Sequence, residues 1–241
     1  MTSIAVLGAR GRMGRAIVRI APEHDASVVL SIDAGEGDLA ALRESGARVL
    51  IDFSSPAIVA GAARACATAG VALVSGTTGL DEQATRAIDE ASQHVPVLWE
   101  PNMSVGVFVL GEIVRRALAM LGEGFDVEIV ETHHGMKADA PSGTARRLAE
   151  IAREVRELTI VTGRDGKPGP RTRGEVGVFA VRGGDVVGDH VVHLLGSGER
   201  LELTHRATSR DVFAIGALRA ATWIAGRPAG RYAFGDVLLK T

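Results

Sequence analysis

The chain has 241 residues, of which 46% are hydrophobic and 23% charged, so it can bury a sizeable core and does not have a disordered composition. The net charge of -2 and the aromatic content of 4% argue against nucleic-acid partners, which need basic surfaces or stacking side chains. The single cysteine, Cys66, favours a reducing, cytoplasmic compartment. The longest apolar stretch, residues 105–121, contains three charged residues, so we expect no membrane partner.

The first hundred residues alternate short apolar runs with alanine-rich segments of helical periodicity. The apolar runs predict strands at 3–7, 28–32, 49–53, 71–74 and 95–99. The segments between them predict helices at 14–20, 56–69 and 81–93. Strands that alternate with helices form parallel sheets covered on both faces. The expected fold is therefore a Rossmann-type, doubly wound α/β domain over residues 1–104.

The pattern changes after about residue 104 and predicts a second, α+β domain over residues 105–210, built on a mixed or antiparallel sheet. The expected elements are helices at 104–121 and 144–155, a strand at 126–130, a polar loop at 131–143 and an exposed, mobile loop at 162–174. Three extended runs, at 176–182, 186–195 and 200–205, have no helix between them and suggest an antiparallel meander. A helix at 211–225 and a last strand at 237–239 complete the chain.

A glycine-rich turn follows the first predicted strand and opens a helix. Its sequence runs Gly8, Ala9, Arg10, Gly11, Arg12, Met13 and Gly14. Such glycines let backbone amides approach a pyrophosphate, which the helix N-terminus also favours. A plain tight turn would explain the glycines equally well.

Asp33 adds weight to the dinucleotide hypothesis because it ends the second predicted strand, 19 positions after Gly14. An acidic residue at this position accepts hydrogen bonds from the adenosine ribose. The alternative is an exposed turn aspartate. Because Asp33 favours NADH while Arg10 and Arg12 could neutralise the phosphate of NADPH, we expect both cofactors to be used, with a modest preference for NADH.

Two further loops follow predicted parallel strands, where open α/β sheets bind ligands. One loop contains Gly76, Thr77 and Thr78, and the other contains Glu100, Pro101, Asn102 and Met103. These residue types are also ordinary turn formers, so turn chemistry remains the alternative.

Candidate catalytic and binding residues are most concentrated in the predicted loop at 131–143 and at the helix start that follows it. It combines two adjacent histidines and a lysine with a Ser-Gly-Thr sequence: His133, His134, Lys137, Ser142, Gly143 and Thr144. These residues suit a pocket that binds an anion and transfers a proton. The lysine could instead be a solvated charge, and the Ser-Gly-Thr an ordinary helix cap.

Other site chemistries find less support in the sequence. His190 and His193 are three positions apart on a predicted strand, so their side chains face opposite sides and do not form a metal site. We therefore expect no metal. The chain also lacks a G-x-S-x-G motif, which a serine hydrolase of the common α/β type would carry.

The string from His133 to Thr144 resembles the signature of bacterial 4-hydroxy-tetrahydrodipicolinate reductases of the diaminopimelate–lysine pathway. The resemblance extends to the Gly-Arg-Met-Gly turn, Asp52-Phe53-Ser54, the Gly-Thr-Thr-Gly loop at 76–79, Pro101-Asn102 with Ser104 to Gly106, Arg182-Gly-Gly184, and Leu203 to Ala207 with Arg210. The sequence departs from the family pattern at Glu100 and Met103, where alanine and phenylalanine are expected.

The resemblance implies an NADH- or NADPH-dependent reductase that acts on a small dicarboxylate and assembles as a homotetramer. It implies that residues 211–241 complete the cofactor domain and that 105–210 bind substrate and form the oligomer. By this resemblance His133 and Lys137 handle protons, while His134, Ser142, Gly143 and Thr144 contact substrate. The turn at 8–13, Asp33, residues 76–78 and residues 100–103 hold the cofactor.

Two other functions remain open from the residues alone. A Rossmann reductase could act on another small anion, and a non-catalytic regulator could bind NADH as a signal. The regulator hypothesis does not require the loop that contains His133, His134 and Lys137.

Overall fold

The computed structural model describes residues 1–33 and 38–239, which divide into two compact units. The first unit contains residues 1–105 together with the chain from Arg210 onward, and the second contains residues 106–209.

Within the described residues, the first unit is built on a six-stranded parallel sheet. Its strands are β1 (Thr2–Leu7), β2 (Ala26–Ile32), β3 (Val49–Asp52), β4 (Ala72–Ser75), β5 (Pro96–Trp99) and β11 (Gly230–Tyr232). Its helices are α1 (Arg12–Ile20), α2 (Pro56–Ala69), α3 (Glu82–Ser92), α6 (Asp211–Ile224) and α7 (Phe234–Leu238). Two short 3-10 turns lie at Ala21–His24 and Leu39–Arg43.

The sheet is apolar on both faces because helices cover both faces. All four residues of β3 and of β4 are buried. Leu50, Leu73 and Val97 pack with α2 and α3 in one core cluster, while α1 and α6 pack together and α6 lies against the central strands. The predicted Rossmann-type sheet is therefore confirmed.

The strand order β11-β5-β4-β3-β1-β2 reverses direction between β1 and β3. Open α/β sheets bind ligands at such a switch point, beyond the carboxyl ends of the strands. The glycine-rich turn follows β1 at this position, and the loops after β3, β4 and β5 lie at the same edge.

Among the described residues, the second unit has a five-stranded mixed sheet in the order β10-β9-β6-β8-β7. These strands are β6 (Asp126–His133), β7 (Thr159–Thr162), β8 (Glu175–Arg182), β9 (Gly188–Leu195) and β10 (Arg200–Ala207), with helices α4 (Val105–Leu121) and α5 (Gly143–Val155). Residues of β6 and β9 alternate between buried and half-buried. One face of the sheet therefore packs on α4 and α5, in a core that includes Leu118, Ile129 and Leu148.

The expectation of an antiparallel meander at 176–205 was wrong for its first strand. β8 is parallel to both β6 and β7, and β6 lies between β8 and β9. The chain passes through α5 and β7 between β6 and β8, a connection long enough for parallel pairing. Only β9 and β10 form the expected hairpin.

Two boundaries also differ from the prediction. Residues 237 and 238 of the strand expected at 237–239 belong instead to α7, in which Phe234 and Val237 are buried at helical spacing. Among the described residues the last strand is β11, which lies earlier in the chain. The loop expected to begin at Glu131 begins instead after His133, because β6 extends through both residues. This second difference places Glu131 and His133 two residues apart on one face of a strand.

The exposed loop at 162–174 is anchored by two arginines. Arg164 contacts Glu128 and Glu175, and Arg171 contacts Glu128 and Asp126, at 2.6–2.9 Å. The side chain of Arg171 is largely withdrawn from solvent, whereas Arg164 is more exposed. Five charged groups therefore connect this loop to the end of the second unit's sheet.

Candidate active site

The glycine-rich turn is shaped by close backbone contacts. Gly8 has a φ of +80°, and a Cβ on it would lie 2.8 Å from the Phe53 carbonyl oxygen. A Cβ on Gly14 would lie 2.1 Å from the Gly8 carbonyl oxygen. Both positions therefore require glycine: one for the left-handed backbone, the other for close packing of α1 on the turn.

The N-terminus of α1 is open to a ligand of negative charge. Gly11 precedes the helix, and no side chain in the described part of the chain caps it. Uncapped first-turn amides, together with the helix dipole, attract phosphate. Ala9 is buried, Met13 is half-buried, and Arg10 and Arg12 are exposed at either side of the turn.

Asp33 stands beside this turn, as the sequence predicts. The Asp33 carboxylate accepts a hydrogen bond from the Arg10 backbone N–H at 2.9 Å. A surface cavity of about 530 Å³ adjoins it, and the described residues that line it include Arg10, Arg15, Arg19 and Asp33. Arg12 is not among those lining residues, although the sequence predicts the same role for it as for Arg10.

A buried carboxylate, Asp52, connects the loops at the carboxyl edge of the sheet. It is fully buried and accepts hydrogen bonds from Ser54 Oγ, Ser75 Oγ and Thr77 Oγ1 at 2.5–2.9 Å. Gly76 also approaches closely, since a Cβ there would lie 2.1 Å from the Phe53 ring. Asp52 thus fixes the loop that contains Gly76 and Thr77, which the sequence predicted as a ligand loop.

The remaining predicted cofactor residues differ in their accessibility. Thr78 and Pro101 are exposed, while Glu100 and Asn102 are half-buried. The Asn102 side-chain oxygen accepts from the Ser104 backbone N–H at 2.9 Å, which shapes the loop after β5. Met103 is 1% exposed, so its side chain belongs to the core of the first unit. A ligand could reach this residue only through its backbone.

Taken together, the turn, the uncapped helix and Asp33 fit a dinucleotide. The turn has glycines where a pyrophosphate would approach the backbone, and the Asp33 carboxylate lies where it could accept hydrogen bonds from ribose hydroxyls.

In the second unit, the histidine–lysine loop begins where β6 ends. His133 is the last residue of β6 and is buried. The His134 backbone N–H donates to the Val186 carbonyl at 2.8 Å, which ties the loop to the residues between β8 and β9. Lys137 Nζ donates to Asp139 Oδ1 at 2.7 Å, and this contact lowers the pKa of Asp139 below its ordinary value. Lys137 is therefore held in place.

Ser142 caps the helix that follows the loop. Its Oγ accepts from the Ala145 backbone N–H at 3.2 Å, so the helix-cap interpretation is correct for this residue. Gly143 and Thr144 begin α5, and a Cβ on Gly143 would meet nothing within 4 Å. The helix start therefore has open space beside Gly143, where an anion could approach the first turn of α5.

The structure adds two buried polar residues, Glu131 and His190, and the half-buried Arg182 to this region, none of which sequence reasoning assigned to the site. Glu131 is 0% exposed and forms a paired contact with Arg182, at 2.7 and 2.8 Å. The Nε2 atom of His190 lies 3.2 Å from the Oγ atom of Ser142. Burial and the neighbouring His133 lower the pKa of His190 to about 4, so this ring is neutral at physiological pH. The alternation along β6 and β9 was the signal that could have placed Glu131 and His190 on the buried face.

Over residues 1–33 and 38–239, no three His, Cys, Asp or Glu residues form a group that could hold a metal ion. Over the same residues, no helix is long and apolar enough to cross a membrane.

Comparison with known proteins identifies the family. Residues 2–103 match the family model for the N-terminus of dihydrodipicolinate reductase, and residues 106–238 match the model for its C-terminus. The chain belongs to the dihydrodipicolinate reductase family.

Individual relatives agree with this assignment. The chain is 47% identical to 4-hydroxy-tetrahydrodipicolinate reductase of Anaeromyxobacter dehalogenans strain 2CP-1, over 99% of this chain and 98% of the relative. It is 42% identical to the enzyme of the same name from Myxococcus xanthus, over 99% of this chain and 98% of that protein. The family resemblance inferred from the sequence is therefore confirmed.

Solved structures share the fold. Dipicolinate-bound dihydrodipicolinate reductase from Paenisporosarcina sp. TG-14 superposes with a TM-score of 0.79 at 23% identity, covering 99% of this chain and 100% of that one. A probable dehydrogenase from Thermotoga maritima gives a TM-score of 0.59 at 14% identity, covering 98% and 92%. These likenesses extend over nearly all of each chain and so include both units.

Proposed function

We propose that this chain catalyses the NAD(P)H-dependent reduction of 4-hydroxy-tetrahydrodipicolinate to tetrahydrodipicolinate in diaminopimelate and lysine biosynthesis. The observation that carries this proposal is the 47% identity to a reductase of this name over 99% of the chain. The chain is an NAD(P)H-dependent oxidoreductase, as the family is. In the overall reaction the 4-hydroxyl leaves as water together with a proton from the neighbouring ring carbon, and the ring then gains a hydride and a proton.

The first unit would hold the dinucleotide. The turn at 8–13 would bind the pyrophosphate with its backbone amides, and Asp33 would accept from the adenosine ribose. The loops at 76–78 and 100–103 would lie toward the nicotinamide end, because they follow β4 and β5 at the same edge of the sheet. When bound, reduced nicotinamide supplies the hydride.

The second unit would bind the dicarboxylate. Gly143 and Thr144 would donate backbone N–H groups to one carboxylate, with Ser142 shaping the turn and His134 as a further contact. The solved relative from Paenisporosarcina contains dipicolinate, a planar dicarboxylate, which supports a substrate of this chemical class for this chain.

His133 and Lys137 would handle protons. Loss of water needs a proton on the leaving 4-hydroxyl and releases one from the neighbouring ring carbon, and that carbon takes up a proton again once the hydride has been added. His133 is buried at the end of β6, and Lys137 is held by Asp139 in the loop that follows. Because an imidazole can exchange protons near neutral pH, His133 would protonate the ring carbon, and the Lys137 ammonium would act on the leaving hydroxyl.

A homotetramer in the cytoplasm completes the proposal. One face of the second unit's sheet is only half-buried and includes the exposed side chain of Val181, at 48%. An apolar face of this kind is typical of association surfaces.

The function is tested by an assay coupled to a dihydrodipicolinate synthase, whose fresh product is offered to this enzyme with NADH or NADPH. We expect loss of the reduced nicotinamide absorbance only when the synthase product is present. An aldehyde or sugar phosphate of similar charge serves as the control substrate. Oxidation of the cofactor with the control and not with the synthase product would favour the alternative, a Rossmann reductase of another small anion. Binding without turnover of either would favour a regulator.

A further inference from the structure

Glu131 has its full hydrogen-bonding capacity occupied. Its Oε1 accepts from the Ser142 backbone N–H at 3.0 Å and from Arg182 Nη2 at 2.8 Å. Its Oε2 faces Arg182 Nη1 at 2.7 Å and His133 Nδ1 at 2.5 Å. An ionised carboxylate offers about four acceptor sites, and each of these sites has a partner. A protonated Glu131 would have to give one of them up.

The charge state of Glu131 follows from these contacts. Burial by itself would raise the pKa of Glu131, but the hydrogen bonds from Arg182, His133 and Ser142 outweigh burial and lower it below its ordinary value. Glu131 is therefore a carboxylate at physiological pH and accepts hydrogen bonds without donating any.

An acceptor-only partner determines which nitrogen of His133 carries hydrogen. Since Glu131 Oε2 lies 2.5 Å from Nδ1, Nδ1 must be the N–H donor in both the neutral and the protonated ring. Nε2 is then the atom that gains or loses a proton. Nε2 lies beside Gly188, where an added Cβ would come within 3.0 Å of it, so the absence of a side chain at Gly188 leaves that nitrogen room.

Arg182 connects the Glu131–His133 pair to Lys137. Its Nη2 also donates to the Asp139 backbone carbonyl at 2.7 Å, and the Asp139 carboxylate holds Lys137 Nζ at 2.7 Å. One guanidinium therefore restrains the carboxylate behind His133 and the backbone of the loop that holds Lys137.

We propose that Glu131, held by Arg182, is a positioning residue that fixes the Nδ1–H tautomer of His133 and presents Nε2 as the proton-transferring atom. The inference rests on the proposed function for its chemical meaning, because that function gives His133 a proton to transfer. Glu131 itself does not touch substrate. It acts through His133, as the carboxylate partners of histidines do in many sites.

The kinetic test uses Glu131→Gln. A glutamine amide has only one accepting oxygen, so it cannot keep all four hydrogen bonds that Glu131 accepts from His133, Arg182 and Ser142. The His133 ring then loses its fixed orientation. We expect kcat to fall about 10–100-fold, the range typical of such supporting partners, while the KM for NADH stays unchanged. The matched control is Glu128→Gln on the same strand, which also removes a carboxylate paired with arginine but lies on the other face of the sheet. The control should lose stability and keep its kcat.

A spectroscopic test on the unaltered enzyme keeps the proposal falsifiable if Glu131→Gln fails to fold. Nitrogen-15 NMR of the labelled histidines, with His133 assigned by comparison with His133→Asn, should show the Nδ1–H tautomer for the neutral ring. An Nε2–H tautomer, or a folded Glu131→Gln enzyme with normal kcat, would overturn the proposal. A wild-type protein that fails to reduce the synthase product would instead contradict the proposed function, since the tautomer is measured without turnover.

Discussion

The cavity beside Asp33 offers a test of cofactor choice. Asp33 is the acidic group among the described residues that line the cavity, and Arg10, Arg15 and Arg19 are the basic ones. Arg19 is already paired with Asp211 at 2.5 Å. We predict that wild-type enzyme uses NADH and NADPH with a modest preference for NADH, and that Asp33→Asn reverses this preference.

The size of the effect follows from two contributions. Two like charges about 4 Å apart at a solvated site repel by roughly 1 kcal/mol, which is about five-fold in affinity. Removing the Asp33 charge should therefore improve NADPH affinity about five-fold. The affinity for NADH should fall by a similar factor. The amide side chain in Asp33→Asn has a single oxygen, which the Arg10 N–H already occupies, so one ribose hydrogen bond of about 1 kcal/mol is lost. The affinity ratio should change by roughly 25-fold.

The assay measures dissociation constants for both cofactors by calorimetry, at low and at high salt. The gain in NADPH affinity should shrink at high salt, because exposed charges are screened. Arg15→Ala should weaken NADPH more than NADH. Arg12→Ala is the control, since Arg12 does not line the cavity within the described residues. Equal changes for both cofactors in Asp33→Asn, or a wild-type preference for NADPH, would refute the role given to Asp33.

Three further predictions concern the turn, the buried histidine and the proton-handling residues. Gly14→Ala places a Cβ 2.1 Å from the Gly8 carbonyl oxygen, so thermal unfolding should show a loss of about 1–3 kcal/mol, with weaker binding of both cofactors alike. Because His190 has a pKa of about 4, against 6.5 in an unfolded chain, only the unfolded state takes up its proton between these values. The free energy of unfolding should therefore fall by up to roughly 3 kcal/mol as pH falls from 6.5 to about 4. In His190→Phe the free energy of unfolding should fall correspondingly less over the same pH range. Equal pH dependence of the two proteins would contradict this. His133→Ala and Lys137→Ala should each lower turnover about 10²–10⁴-fold with NADH affinity intact, and near-normal turnover in both would show that the loop is structural.

The sequence predicts the first unit well because its signals are local. Pro56 near the helix start and Gly70 just after its end mark α2 at both ends, and short apolar runs bounded by turns mark the buried strands. The glycine turn and Asp33 are also read from spacing, since the βαβ unit places them together.

The second unit was predicted less accurately because its pairing depends on distant segments. Nothing local in Val176–Arg182 distinguishes a strand parallel to β6 from one antiparallel to β9. Glu131 was assigned to a loop because its polar neighbours outweighed the alternation that continues to His133. The ion pair between Glu131 and Arg182 joins residues 51 positions apart, which a pattern of spacing cannot reveal.

The central claim is that this enzyme delivers a hydride from nicotinamide to the ring of a hydroxylated dicarboxylate, and transfer of deuterium tests it most directly. NADH deuterated at the transferred position is mixed with the synthase product in ordinary water, and the ring product is analysed by mass spectrometry and NMR. We predict a single deuterium at the carbon that bore the hydroxyl, and a hydrogen from solvent at its neighbour. A product without deuterium, or cofactor oxidation without tetrahydrodipicolinate, would contradict the account.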